Sequence, residues 1–267
     1  MHPTLSDKEF QAFQKMIFDL AGIHMSEAKK PLVCGRLAKR LNQHGLDSYS
    51  AYFQLVQRDE AERQAALDLL TTNETYFFRE PKHFEFLANV LAPTLREQSM
   101  VRIWCGACSS GEEPYTIAMV LAEALGHTRF EILASDISSR VLHTARKALY
   151  PIEDAANIPR PMRAKYCLRG IGSQDGWFTL DRLIRDRVHF DTINLNERLP
   201  DIGPFDVIFL RNVMIYFSPD TKKQVLARMV PLIRPGGHFI ISHSESLHGI
   251  TDALQMVKPS LYCRRSD

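Results

Sequence analysis

The stretch 101–114 constrains the fold more than any other part of the chain. It contains a short apolar segment that includes Val101 and Trp104, then small residues at 106–111, then Pro114. The apolar segment has strand character, and the small residues let a ligand approach the backbone closely. Pro114 suits the first turn of a helix, because the N–H that it lacks would be unpaired there. This strand–turn–helix pattern is typical of nucleotide-binding α/β sheets, and a plain structural turn is the alternative.

Acidic residues flank this turn and narrow the choice of ligand. Glu112 and Glu113 stand at its exit, where they would repel a pyrophosphate but not a cationic centre. S-adenosylmethionine, whose sulfonium is positive, therefore fits better than a dinucleotide. The next predicted strand ends at Asp136, a position from which a carboxylate accepts hydrogen bonds from ribose hydroxyls. The alternative for Asp136 is a helix N-cap.

Composition excludes several classes of protein. The chain has 267 residues and a formal net charge of +2, too small to indicate nucleic-acid binding by itself. The segment Met1–Thr4 lacks the apolar core of a secretion signal, and no apolar run is long enough to span a bilayer. Five cysteines, an odd number, favour a reducing compartment, so we expect a cytoplasmic protein. Cys105 and Cys108 have the spacing of a redox pair, which remains a minor alternative.

Residues 1–70 are predicted to form a helical domain. A helix expected from Ser26 to about Gly45 carries basic residues, among them Lys29, Arg36 and Arg40. This face is either a solvated surface or a docking surface for an acidic partner. Residues 71–98 form a predicted linker and connecting helix, and the linker combines polar hydrogen-bonding residues with three consecutive aromatic residues, 76–78. That linker is interpreted either as an apolar staple between domains or as a lid.

Residues 99–267 alternate strands and helices, which predicts a parallel sheet with crossover helices. Strands are expected at 100–105, 131–135, 188–193, 205–210 and 237–242, followed by a last pair at 254–258 and 261–265. A turn at Pro235–Gly237 is expected to lead into strand 237–242. The segment 211–217 follows strand 205–210 at the edge where such sheets build their sites. The segment 150–187 interrupts the alternation and contains a glycine-rich loop. We interpret it as an inserted hairpin.

Five blocks of sequence then carry a family resemblance: TTNETYFFRE (71–80), SGEEPY (110–115), ASDI (134–137), FDVIFLRNVMIYF (205–217) and HSES (243–246). In this order they resemble the chemotaxis receptor methyltransferases of bacteria, the CheR-type family. The resemblance implies a small all-α N-terminal domain and a Rossmann-like class I methyltransferase domain with a small antiparallel β-subdomain. It also implies transfer of a methyl group from S-adenosylmethionine to glutamate side chains on cytoplasmic helices of chemoreceptors, with S-adenosylhomocysteine as the product.

The resemblance further assigns roles to residues. Tyr216 is similar to a family tyrosine near the transferred methyl group, and Arg79 and Tyr216 are the candidate catalytic residues. The basic helix, with Lys29, Arg36 and Arg40, is implied to dock receptor helices, and the loop with Gly170, Gly172 and Gly176 to hold a receptor C-terminal tail. Cofactor contacts are implied for the following residues: Asn73, Thr75, Arg79, Glu113, Asp136, Asn194, Leu195, Arg211 and Asn212.

From this we expect a monomeric enzyme without a metal ion, which acts on chemoreceptors and neither binds nucleic acid nor inserts into a membrane. Arg79 and Arg211 are expected to orient the substrate carboxylate. Two alternatives stay open. A nucleic-acid methyltransferase would use the basic helix to contact phosphates, although the near-neutral first domain disfavours a broad footprint. A non-catalytic S-adenosylmethionine sensor would bind the cofactor without turnover.

Overall fold

The computed structural model describes residues 3–126 and 129–265. Residues 1–2 and 266–267, the two ends of the expected domains, lie outside the described residues. Residues 1–2 belong to the segment that was examined for a secretion signal. Within the described ranges, no helix combines the length and the apolar character needed to cross a membrane.

The N-terminal helices pack around one apolar core. Helix α1 starts at a capping box between Ser6 and Glu9 and ends at Gly22, whose φ is 69°. Phe10, Phe13 and Ile17 form its buried stripe, together with buried residues of the helices that follow. These helices are α1 (Asp7–Ala21), α2 (Lys30–Gln43), α3 (Tyr49–Arg58) and α4 (Glu60–Leu70).

The basic helix begins later than the sequence predicted. A 3₁₀ turn covers Glu27–Lys29, Ser26 makes no side-chain cap hydrogen bond, and α2 starts at Lys30. Pro31 explains the start, because proline is favoured in the first helical turn. Lys29 therefore precedes the helix that carries Arg36 and Arg40.

The linker between the domains is irregular and partly buried. Residues 72–76 have no regular secondary structure, and Phe77 is fully buried with its ring 5.0 Å from that of Tyr150 and 5.8 Å from that of Phe178. This contact anchors the linker to the sheet domain. The chain then continues through α5 (Lys82–Phe86), a π-helical turn (Leu87–Leu91) and α6 (Ala92–Leu95).

The sheet domain has the predicted α/β architecture. Its seven-stranded sheet has the order β6-β2-β1-β7-β8-β10-β9, parallel from β6 to β8 and antiparallel at β10 and β9. Its strands are β1 (Val101–Gly106), β2 (Phe130–Asp136), β6 (Val188–Thr192), β7 (Phe205–Leu210), β8 (Ile233–Ile240), β9 (Leu254–Lys258) and β10 (Leu261–Arg264). Its helices are α7 (Glu112–Leu125), α8 (Ser139–Lys147), α10 (Arg182–Arg185) and α11 (Pro219–Met229). The strand order reverses beside β1, which is the switch point where such sheets bind ligands.

The insertion forms a second sheet with one strand more than the predicted hairpin. Its order is β3-β5-β4, all antiparallel, from β3 (Leu149–Pro151), β4 (Cys167–Arg169) and β5 (Trp177–Leu180), with α9 (Arg160–Tyr166) before β4. The extra strand β3 was missed because it has only three residues. In the main sheet, β8 begins at Ile233 rather than at 237, so the expected Pro235–Gly237 turn lies inside the strand, next to a shift in its register with β7.

Candidate functional site

One cleft lies at the carboxyl edge of β1, β2 and β7, between the sheet, the linker and the helical domain. Its volume is about 970 Å³, including the open mouth. The cleft brings together all nine residues expected to contact the cofactor, and also Tyr216 and Lys29. The other predicted site residues, Arg36 and Arg40 in α2 and the three glycines of the insertion, do not line it.

The turn after β1 forms the floor of this cleft. Ala107 and Ser109 have φ values of 59° and 49°, so two non-glycine residues adopt the left-handed conformation there. Gly111 has φ 98°, and a Cβ at this position would lie 2.9 Å from the Cβ of Ala145. Only glycine fits at 111, because both the conformation and the contact exclude a side chain.

Asp136 holds this turn in place from the end of β2. Its Oδ2 accepts a hydrogen bond from the backbone N–H of Ser109 at 2.8 Å, and its Oδ1 accepts one from that of Ser138 at 2.9 Å. Burial raises the pKa of the Asp136 carboxyl, and the two N–H donors oppose this rise. The N-cap of α8 is Ser138, not Asp136, so the N-cap alternative for Asp136 is wrong. Each carboxylate oxygen keeps acceptor capacity for a ligand.

Arg211 is a buried structural cation at the end of β7. Its side chain is fully buried, forms an ion pair with Glu113 through Nη1, and lies 3.5 Å from Glu80 through Nη2. Nη2 also donates to the carbonyl of Arg79 at 2.6 Å. These partners neutralise the guanidinium and leave it poorly placed to grip a second carboxylate.

The three linker residues that were expected to contact the cofactor line the cleft. The carbonyl of Asn73 accepts a hydrogen bond from the hydroxyl of Ser109 at 2.9 Å, so the linker is fastened to the turn after β1. Arg79 donates to the carbonyl of Glu74 at 2.7 Å and remains partly exposed. Thr75 also lines the cleft and is partly exposed. The linker thus covers one side of the cleft.

Tyr216 lies where the helical domain meets the sheet domain. Its carbonyl accepts a hydrogen bond from the backbone N–H of His24 at 2.8 Å, and Ile23 forms an antiparallel bridge with Phe217. The ammonium group of Lys29 lies 4.9 Å from the centre of the Tyr216 ring, within the range of a cation–π contact. The loop after α1 thereby places Lys29 at the cleft.

The remaining predicted cofactor residues also support the walls of the cleft. Asn194 donates to the carbonyl of Leu20 at 2.7 Å and accepts from the backbone N–H of Asn196 at 3.0 Å. The side chain of Leu195 is buried. Asn212 has φ 60° and its backbone N–H donates to Glu245 at 3.2 Å. Their side chains therefore order the loops after β6 and β7 around the cleft.

The two arginines of the predicted docking face are engaged within the helical domain. Arg36 donates to the carbonyls of Leu69 and Thr71 at 2.9 and 3.0 Å. Arg40 forms an ion pair with Glu62, whose side chain is 4% exposed. Both arginines connect α2 to α4. Of the three residues predicted to dock the receptor, only Lys29 lies at the cleft.

The predicted redox pair is buried. Burial raises the pKa values of the Cys105 and Cys108 thiols well above their usual range. Cys105 donates to Glu113 at 3.2 Å. Because the thiolate is the reactive form, burial and a raised pKa disfavour a redox role for these two cysteines.

The glycine loop of the insertion joins β4 to β5. At Gly170 a Cβ would lie 2.0 Å from the carbonyl oxygen of Gln174, so the loop needs glycine for its own geometry. The apolar side chains around it are exposed: Leu168 is 50%, Ile171 84% and Trp177 41% exposed. These three side chains form an exposed apolar surface beside the glycine loop.

Sequence reasoning missed Glu80, which supports the residues of the cleft from outside it. Glu80 approaches Arg211, accepts from Asn212 at 3.4 Å and accepts from the backbone N–H of His243 at 3.0 Å. Its position at the end of the 71–80 block was the available signal. Burial raises the pKa of the Glu80 carboxyl, but Coulombic attraction to Arg211 and the hydrogen bonds from His243 and Asn212 together outweigh burial and hold this pKa below its usual value.

Comparison with known proteins gives the same family for both domains. The family described as the all-alpha domain of CheR methyltransferase matches residues 8–71, and that described as the SAM binding domain of CheR methyltransferase matches residues 73–263. A chemotaxis protein methyltransferase 2 of Pseudomonas aeruginosa is 40% identical over 258 residues, which cover 96% of this chain and 92% of that protein.

Two further relatives cover almost the whole chain. The chemotaxis protein methyltransferase of Salmonella typhimurium is 37% identical and covers 99% of this chain and 92% of its own length. That of Escherichia coli is also 37% identical, with 99% and 93% covered. The chain therefore belongs to the CheR methyltransferase family and is an S-adenosylmethionine-dependent chemotaxis protein methyltransferase.

Proposed function

We propose that the cleft binds S-adenosylmethionine and forms methyl esters on glutamate side chains of chemoreceptor cytoplasmic helices. The observation that carries this proposal is that all nine expected cofactor residues line one cleft at the switch point of the sheet. S-adenosylmethionine supplies a methyl group on a positively charged sulfur. The acidic side chains of Glu113 and Asp136 at the cleft suit a cationic ligand and disfavour a pyrophosphate.

The residues of the cleft have modest chemical tasks in such a transfer. A glutamate is ionised near neutral pH, so no strong general base is needed. The protein must place the carboxylate oxygen in line with the methyl group and exclude water, which is worth up to about 7–11 kcal/mol in favourable cases. Tyr216 supplies a hydroxyl donor and an aromatic wall at the cleft.

The cation that orients the substrate carboxylate is, in this proposal, not Arg211. Arg211 is paired with Glu113 and fully buried, whereas Lys29 and Arg79 are partly exposed at the cleft. A weaker, exposed cation also suits the chemistry, because too tight a grip on the carboxylate would stabilise the ground state. Arg211 then acts by holding Glu113 and the linker in place.

The proposal also includes docking of the receptor helices at the cleft and tethering of a receptor tail at the insertion, and each has its own support. The support for docking is the position of Lys29 beside Tyr216 at the mouth of the cleft. The support for tethering is the exposed apolar group of Leu168, Ile171 and Trp177 beside the strand edges of the insertion. An extended receptor tail would pair with such an edge and place alternate side chains on this group.

Tethering is tested with a peptide that has the sequence of a receptor tail. We expect Ile171→Asp to weaken peptide binding at least tenfold, because it places a charge in an apolar contact. The measurement is calorimetric titration, and the control variant is Val90→Asp, which changes an exposed residue outside the insertion. Equal affinity in Ile171→Asp and the unchanged protein would remove the insertion from the tethering proposal.

The main experiment combines binding and turnover. Calorimetry with S-adenosylmethionine and S-adenosylhomocysteine tests the cleft, and transfer of a tritiated methyl group to receptor fragments, with and without their tails, tests the substrate. A carboxyl methyl ester releases methanol in alkali, whereas methylated bases retain the label, which separates this function from a nucleic-acid methyltransferase. Cofactor binding without transfer to any receptor fragment would favour the sensor alternative.

A further inference from the structure

Two histidines and one carboxylate meet outside the cleft, where the linker ends and β8 gives way to a loop. These are Glu80, His83 in α5 and His243, and one ligand atom from each lies within 4.8 Å of the others. The Nδ1 atom of His83 is 3.5 Å from Oε2 of Glu80, and Nε2 of His243 is 3.8 Å from the same oxygen. The two imidazole rings are 4.5 Å apart, centre to centre.

The Ser260 hydroxyl lies between the two rings and orients both of them. It contacts Nε2 of His83 at 2.6 Å and Nδ1 of His243 at 3.3 Å. Its proton is assigned to the carbonyl of Pro259 at 2.5 Å, and with that assignment the hydroxyl accepts from both imidazoles. Ser260 is buried with φ 65°, a left-handed conformation that holds the hydroxyl between the two rings.

The other nitrogen of each ring lies on the side of the Glu80 carboxylate. In the tautomers assigned above, both of these nitrogens carry a lone pair, so a cation between them and the carboxylate would have three ligand atoms. Nδ1 of His83 is accordingly a buried polar atom without a hydrogen-bond partner among the described residues, and the His83 residue is 1% exposed.

We propose that Glu80, His83 and His243 bind a divalent transition-metal ion of the zinc class. Two imidazole nitrogens and one carboxylate oxygen are the ligands such ions take, and tetrahedral coordination at 2.0–2.2 Å separates ligand atoms by roughly 3.4 Å. The separations of 3.5 and 3.8 Å from Glu80 need only a small contraction, whereas the spread of the three ligand atoms, up to 4.8 Å, requires the two imidazoles to move closer together on binding. Ser260 supplies the outer contact that orients both rings.

The surroundings leave one coordination position open. The side chain of His243 is 47% exposed and borders a surface cavity, so the ion can enter from solvent and keep a water ligand. The guanidinium of Arg211 would repel a bound cation, because its Nη2 is 3.5 Å from Oε2 of Glu80. Its ion pair with Glu113 offsets that charge. Lys258 also borders the cavity, with its ammonium 5.6 Å from the centre of the Phe86 ring.

An ion at this position would connect the end of the linker to the loop after β8. Glu80 follows Arg79, whose carbonyl accepts from Arg211, and the His243 backbone N–H already donates to Glu80. The metal would strengthen this connection without touching the cleft. Its effect is therefore expected on the order of the linker rather than on the chemistry of methyl transfer.

The test uses the full chain without an affinity tag, freed of metal by a chelator and titrated with Co²⁺. Tetrahedral Co²⁺ absorbs visible light, so binding is read without an activity assay. We expect one Co²⁺ per chain, displaced by Zn²⁺. His243→Ala should weaken binding at least about tenfold, because it removes one ligand at an exposed position.

The matched control is His248→Ala, which removes an exposed histidine of the same loop and should bind Co²⁺ like the unchanged protein. Glu80→Gln should also weaken binding, since the amide is a poorer ligand than the carboxylate. An absent visible band on Co²⁺ addition, or an unchanged affinity in His243→Ala, would show that the cluster is a hydrogen-bond network alone.

Discussion

Asp136 shows how one side chain of the cleft serves both the fold and the ligand. Its two oxygens hold the N–H groups of Ser109 and Ser138, so it shapes the turn after β1 and the start of α8. The oxygens that hold the turn are also the acceptors proposed for the cofactor. A substitution therefore changes the shape of the site as well as its polarity, and a test must separate the two effects.

Replacing Asp136 should weaken cofactor binding. We expect Asp136→Ala to cost about 1.5–3 kcal/mol, the usual contribution of hydrogen bonds to a charged group, which is roughly a 10- to 150-fold rise in Kd. Asp136→Asn keeps one acceptor and should lose less. Calorimetry with S-adenosylhomocysteine gives both values, with Asp252→Ala, an exposed position, as the control. An unchanged Kd in Asp136→Ala would contradict the ribose role.

Tyr216→Phe separates the hydroxyl group from the ring. The ring beside Lys29 remains, so cofactor affinity should stay the same. Loss of one hydrogen bond worth about 0.5–1.5 kcal/mol should slow methyl transfer about two- to tenfold. Single-turnover transfer of a tritiated methyl group measures the rate. If transfer is as fast as in the unchanged protein, Tyr216 acts only as a wall of the cleft.

At the scale of elements, the two arginines of α2, Arg36 and Arg40, bind α4 and its end instead of forming a free basic surface. The charge left free on this part of the chain lies at Lys29 and at the exposed Lys39. Periodicity placed the arginines on one face correctly but could not reveal that α4 covers that face. Charge reversal at Arg36 and Arg40 would consequently damage the domain before it tested docking.

Arg40→Ala should destabilise the helical domain. It removes Arg40 from the buried Glu62, which keeps only His44 and Tyr52 as partners, and this costs about 3 kcal/mol, the lower end for breaking a buried pair. Thermal and urea unfolding measure the loss. Lys39→Ala is the matched control on the same helix, and its stability should change little because the side chain is exposed. Equal stability of the two variants would mean that the Arg40–Glu62 pair contributes nothing.

At the scale of the whole molecule, the cleft depends on how three parts are joined. The loop after α1 bridges to Phe217, and Asp68 at the end of α4 accepts from the backbone N–H of Ser139 at 3.0 Å. The linker adds its buried Phe77 and its contact with the turn after β1. The helical domain is therefore a wall of the cleft, and its stability bears directly on the site.

Lowering the pH should reduce the stability of the folded protein, because Glu62 becomes protonated. The hydrogen bond from Arg40, opposed by burial and aided by Tyr52, lowers the pKa of the Glu62 carboxyl to about 2. A depressed folded-state pKa stabilises the protein above the unfolded value, about 4.5, and this stabilisation is lost as pH falls toward 2.

The free energy of unfolding in urea should therefore fall between pH 4.5 and pH 3. Glu62→Gln removes the titrating group and should show a flatter dependence over the same range. A slope equal to that of the unchanged protein would assign the acid sensitivity to other carboxyls. Titration of Glu62 by NMR gives its pKa independently.

Local sequence patterns were sufficient to predict the fold class, the family and most of the candidate site. The turn at 101–114, the alternation of strands and helices, and five short blocks identified the fold class and the family, because each depends on residues close together in the chain. Those blocks contain seven of the nine residues that were expected at the cofactor, all except Asn194 and Leu195, and all nine line the cleft. The predicted ends of the elements were less accurate. Helix α2 starts at Lys30, next to Pro31, and strand β8 starts at Ile233 and continues through Pro235.

Packing across the chain decided the rest. Which charges are free is set by partners far away in sequence, so Arg211 and Arg40 proved to be paired while Lys29 remained at the cleft. Long-range packing also joined His83 to His243, which are 160 positions apart in the chain. A sequence pattern shows charge and periodicity, but the energy of a buried ion depends on which group lies beside it, and only the folded chain supplies that neighbour.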